Sequence, residues 1–169
     1  MHLRGNYHKK LAYSALMLSL AIVLSYVDSL FSSLLPLPGL RLGLANIVIM
    51  FSFFKIGKLS SAVISFLRVV VISMIFGSIS SFFFSVMGAL CSYIGLFALS
   101  FVQKYASRIG ISIASAALHS IGQIFAACII YGTVGLIYYL PYLLIMALPL
   151  GVLTGTLLIV TENKLSLKI

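Results

Sequence analysis

Pro36-Leu37-Pro38-Gly39-Leu40-Arg41-Leu42-Gly43-Leu44-Ala45-Asn46 is a rigid reversal set between two strongly apolar runs. Pro36 and Pro38 fix their own φ and disfavour helix in the residue before each, so a helix arriving from the N-terminal side stops here, and Gly39 permits the chain to turn back. A new helix can start from Arg41 onward. On it, Arg41 and Asn46 lie about 140° apart and do not share a face. The reversal therefore places a cation and an amide among apolar surroundings.

Those surroundings extend through the chain. Of its 169 residues, 62% are hydrophobic and 8% charged, and the mean hydropathy is +1.22, which excludes an ordinary soluble fold and points to an integral membrane protein. The first apolar run, residues 11–35, is too long for a signal-peptide core and reads as a retained span. Lys and Arg total 11 against 2 acids, giving +9. In a membrane chain, this excess reflects loop orientation rather than nucleic-acid binding. Cys91 and Cys128 sit in apolar runs without metal-ligand spacing and read as small hydrophobes.

Charges, glycines and prolines divide the sequence into six apolar runs, 11–34, 42–54, 59–76, 80–102, 111–131 and 138–160. Most approach the ~20 residues a helix needs to cross about 30 Å of hydrocarbon. The second is short. Runs this apolar cannot be open sheet, because an exposed strand edge would leave backbone groups unpaired in lipid. The expected architecture is one all-α domain of six transmembrane helices over residues 1–169.

Nine of the 11 cations fall in alternate connections: Arg4, Lys9 and Lys10; Lys55 and Lys58; Lys104 and Arg108; Lys164 and Lys168. The connections around Gly77 and Gly132 to Gly135 carry none. The positive-inside rule then places both termini in the cytoplasm. Arg41, in the first outward connection, and Arg68, within the third helix, break the pattern. Asp28 is the matching acidic exception, in the outer half of the first helix, and pairing with Arg41 or Arg68 is its default expectation.

Ser115, His119 and Gln123 recur at i, i+4 on the fifth helix and share a face, with Ser112 close by. A lone histidine in such a place is either a hydrogen-bonded core residue or a ligand contact; Arg68 is either a structural ion-pair member or a contact for an anionic or polar ligand. Tyr138, Tyr139 and Tyr142 read as an interfacial aromatic belt or a stacking platform. Pro149 should kink the sixth helix, and Gly151-Val152-Leu153-Thr154-Gly155 permits close backbone approach. Small-residue pairs, Ala15 with Ser19, Ala21 with Ser25, and Gly88 with Ser92, indicate helix packing, and the two on the first helix make it the best docking face for another protein.

The candidate substrate-binding set is Asp28, Arg41, Asn46, Arg68, His119, Gln123 and Tyr139. No catalytic constellation, magnesium-binding acid pair, nucleotide site or metal site is present in the sequence, and no cofactor is expected.

Five stretches in order, Ser25-Tyr26-Val27-Asp28-Ser29, Pro38 to Ile47, Leu67-Arg68-Val69, Phe84 to Leu90 and Ala117 to Gln123, resemble the heptaprenyl diphosphate synthase component I family, also called the Gx transporter family. That family is similar to the substrate-binding S components of energy-coupling factor (ECF) vitamin transporters, six-helix proteins with both termini cytoplasmic. The chain departs from it in carrying Asp28 where Glu is more common, Arg41 where Lys is frequent, and Ser120 where Asn is frequent. Charge is kept at the first two. The resemblance implies capture of a small polar or anionic solute under the loop between the first two helices. It also implies toppling against ECF transmembrane and ATPase subunits, with Ala15, Ser19, Ala21 and Ser25 as the docking face. Flavin- or isoprenoid-related cargo is the association the family carries. The alternatives are a noncatalytic membrane subunit of a prenyl diphosphate synthase and a component of an extracytoplasmic flavin redox system.

Overall fold

A computed structural model describes residues 2–31, 41, 43–76, 78–101 and 106–164. The Pro-Gly reversal at 36–39, Leu42, the Gly77 connection, Lys104 and Lys168 lie outside the described residues. The described chain is helical throughout: α1 is His2–Phe31, α2 Asn46–Lys55, α3 Lys58–Phe76, α4 Ile79–Leu99, α5 Arg108–Tyr131 and α6 Leu140–Lys164, with a 3-10 segment Val134–Tyr139 before α6.

The boundaries have local causes. Ser78 and Ser107 cap α4 and α5 by accepting backbone N–H groups from Ser81 at 3.2 Å and Gly110 at 3.0 Å, the usual remedy for the unpaired donors of a first turn. Gly132, at φ 63°, closes α5 in the left-handed region. Gly43 has φ 89°, so the expected helix start at Arg41 moves to Asn46 and α2 is only 10 residues long. At 1.5 Å per residue that is about 15 Å, half of a bilayer core. Among the described residues, five helices are long and apolar enough to cross a membrane, and α2 is the exception. The second run, expected to be short over 42–54, forms a helix that starts four residues later, and seven of its ten residues are buried. α6 continues as helix through Pro149.

α5 is the central element, with its most extensive interfaces to α4 and α6. Small residues allow this. An added Cβ at Gly122 would stand 2.5 Å from the Met87 carbonyl oxygen of α4, and at Gly151 and Gly155 of α6, 2.6 Å from the Cα atoms of Ile113 and Ile109. Gly151 and Gly155 thus provide the close approach expected of their spacing. α1 packs on α3, and α2 is held between them and α6, with Ala21, Val48, Ile49 and Ile64 in one apolar cluster.

The outer surface is apolar. Leu59, Met74, Ile79 and Tyr138 are each at least 80% exposed and belong to a much larger set of exposed hydrophobics, far beyond what water tolerates on a monomer. The chain is a multi-pass membrane protein. One end of the bundle is basic. Lys10 lies beside Gly57, Lys58 lies over the rings of Phe97 and Phe101, and Arg108 stacks on Phe54 and pairs with Glu162 at 3.5 Å. The C-terminal end of α1, the segment before α2, and the N-terminal end of α4 lie toward the opposite end.

Candidate functional site

Toward that opposite end, polar side chains from four helices and the segment before α2 meet inside the bundle. Asp28, on the last turns of α1, is 2% exposed. Its Oδ2 accepts the backbone N–H of Gly43 at 2.8 Å and that of Leu44 at 3.3 Å. The segment leading into α2 is thereby tied to α1. Asp28 lines one cavity with both Arg41 and Arg68, the two cations expected as its partners.

Arg41 crosses to the far side of the site. Its backbone N–H donates to Gln123 Oε1 at 3.3 Å and its Nη2 to Ser81 Oγ at 3.3 Å. Gln123 Nε2 faces His119 Nε2 at 3.0 Å. With Gln123 Oε1 accepting, its amide nitrogen donates, so His119 Nε2 accepts and Nδ1 carries the proton. The network assigns a neutral imidazole with a fixed tautomer. The ring fits between two glycines: a Cβ on Gly43 would stand 3.2 Å from its Cδ2, and one on Gly88 2.9 Å from its Cε1.

Arg68, from the middle of α3, is 7% exposed, and its Nη1 donates to Ser25 Oγ at 3.3 Å. Its Nε and the Ser85 Oγ of α4 are buried and have no hydrogen-bond partner among the described residues. Both residues line a cavity of about 10 Å³ together with Ser25, Asp28, Arg41, Val69 and His119. That is roughly the space of one water molecule. A larger solute does not fit the cavity at this size.

Asp28, Arg41, Arg68, His119 and Gln123 are therefore brought together. Asn46 is buried elsewhere: its Nδ2 donates to Ser115 Oγ at 3.0 Å and its Oδ1 accepts from Ser92 Oγ at 3.1 Å. This cluster binds α2 to α4 and α5 as a satisfied structural network. Tyr139 is 40% exposed on the 3-10 segment and does not line the cavity. Of the proposed docking face, Ala15 and Ser19 are exposed on α1, whereas Ala21 and Ser25 are buried; the inner pair serves the core and Arg68. Ser120 donates to the Ala116 carbonyl of its own helix.

Ser25, Ser81 and Ser85 are the polar partners that sequence reasoning missed as site residues. Serine is common in membrane helices as a small packing residue, so its type carried no signal. The usable one was position: Ser25 precedes Asp28 by three residues, and Ser81 and Ser85 are i, i+4 on one face.

No curated protein and no solved structure gives a significant match to this chain. A family match covers residues 17–160, from the middle of α1 almost to the end of α6, and includes every residue of the cavity. The family's description names component I of heptaprenyl diphosphate synthase, a noncatalytic subunit. The chain belongs to the heptaprenyl diphosphate synthase component I family.

Proposed function

We propose that this chain is the solute-binding membrane subunit of a transport system of the ECF type, with the polar pocket as its recognition site and no catalysis of its own. The observation that carries the reading is the convergence of Asp28, Arg41, Arg68, His119 and Gln123 beneath the segment that Asp28 ties down. Ionisable groups at membrane depth are costly, and a functional site is their default reading. Access follows release of the Asp28 contacts to Gly43 and Leu44. The basic end faces the cytoplasm, with both termini there, and the pocket faces outward. Ala15 and Ser19 form the docking face for an ECF transmembrane subunit, and Ala15 also lines a lipid-facing groove between α1 and α3.

The test is to extract small molecules from the purified protein, identify them by mass spectrometry, and titrate each back by calorimetry. A solute that binds the native chain and loses at least tenfold in affinity in both Arg68→Ala and His119→Ala supports the site. Equal affinity in both variants refutes it.

A second reading, favoured by the family membership, is a membrane subunit of a heptaprenyl diphosphate synthase. In that case the polar network only holds helices together. Stable co-purification with a soluble synthase, and a synthase rate that depends on this chain, are its expected results.

A further inference from the structure

We propose that the cavity beside Arg68 is a seat for one compact monovalent anion, and that the transported solute is held there by an acidic group of the same charge. The second half rests on the solute-binding reading above; the first does not. Charge is the first argument. Two guanidiniums, Arg41 and Arg68, and one carboxylate, Asp28, line the cavity, and with His119 neutral one positive charge is left over. All three are at most 7% exposed, so bulk counterions do not reach them, and an uncompensated buried charge is strongly disfavoured.

Donor arrangement is the second. Arg68 Nε and Ser85 Oγ are buried at the cavity wall without partners among the described residues. Leaving such donors unmet in a buried site is destabilising. One anion between them accepts from both. Ser25 Oγ, which accepts from Arg68 Nη1, keeps its own proton to donate. Asp28 also lines the cavity, but its Oδ2 is directed to the Gly43 and Leu44 N–H groups, which limits its repulsion of a second anion.

Size is the third. About 10 Å³ is the space of a single water molecule, so only a monatomic anion such as chloride is small enough to enter with a slight yielding of the walls, and a polyatomic oxyanion is excluded at this size. Halide and acidic solute therefore compete for one position.

The experiment follows thermal unfolding of the purified protein in detergent, titrating chloride against gluconate at constant ionic strength. The native chain is expected to show a saturable rise in Tm. Ser85→Ala, which removes a hydroxyl with no partner among the described residues and so keeps the fold, should weaken the apparent chloride affinity at least tenfold; Arg68→Gln should abolish the response. Crystals grown in bromide should give an anomalous peak within hydrogen-bond distance of Arg68 Nε. A response that does not saturate, an unchanged affinity in Ser85→Ala, or no bromide peak means that the cavity holds water only, and overturns the inference. Solute binding, measured by calorimetry in chloride-free buffer, succeeds or fails separately.

Discussion

Asp28 Oδ2 accepts the Gly43 backbone N–H at 2.8 Å, across 15 residues of sequence. The contact joins the last turns of α1 to the segment that leads into α2, next to the cavity lined by Arg41, Arg68 and His119. It places a carboxylate beside the two arginines of the cavity and ties the start of the α2 segment to α1.

Asp28→Ala should therefore act at two levels. It removes a charged acceptor from two backbone donors and leaves two buried arginines without their carboxylate. Hydrogen bonds to a charged group contribute about 1.5–3 kcal/mol each. A clear fall in Tm is expected, together with faster hydrogen exchange at Gly43 and Leu44; unchanged exchange there would show that the contact is not what holds the segment.

Gly88→Ala tests the seat of His119. The new methyl would stand 2.9 Å from both Gln123 Cγ and His119 Cε1, and overpacking of this kind costs about 1–3 kcal/mol. The ring must move, which breaks its alignment with Gln123. Solute affinity should fall more than stability does, and equal affinity in folded Gly88→Ala protein would contradict the assigned role of the imidazole.

Asn46→Ala should behave in the opposite way. Its amide serves Ser92 and Ser115, outside the cavity, so its loss leaves buried hydroxyls short of a partner at a cost of about 1–3 kcal/mol. Tm should drop while solute affinity in the folded fraction stays within twofold. A selective loss of affinity would return Asn46 to the binding set.

Gly151→Val challenges the α5–α6 interface directly. A Cβ there meets the Ile113 Cα at 2.6 Å, which is backbone and cannot rotate aside. Size-exclusion chromatography should show little folded monomer, whereas Val152→Ala, at an exposed position on the same helix, should leave the profile unchanged.

Orientation is open to chemical labelling in a background with Cys91 and Cys128 replaced. Tyr138→Cys should react with a membrane-impermeant thiol reagent added outside intact cells, and Lys58→Cys only after the membrane is opened. The reverse pattern would invert the topology.

Much of this architecture is legible in the sequence because a bilayer penalises every misplaced charge. Asp28, Arg41, Arg68 and His119 stand out against apolar runs, and burial in a shared pocket follows from the cost of leaving them in lipid. The alignment of Ser115, His119 and Gln123 follows from helical period alone, and all three are buried. The start of α2 is less legible than its shortness. Gly43 adopts a positive φ because tertiary contacts with Asp28 and His119 fix it there, and no local pattern distinguishes that glycine from one inside a helix. Asn46 looks like a ligand contact for the same reason Arg41 does, since sequence gives depth and polarity but not which neighbour receives the side chain. Ala21 and Ser25 show the same limit: small-residue spacing reveals a close approach without saying whether the partner is inside the chain or outside it.

Native mass spectrometry of the protein released from its own membrane, compared with Arg68→Ala prepared in parallel, tests the central claim most directly. The account predicts a native-chain peak shifted by one acidic small molecule, and its absence in the variant. Identical masses for both, whether bare or carrying the same adduct, would contradict it.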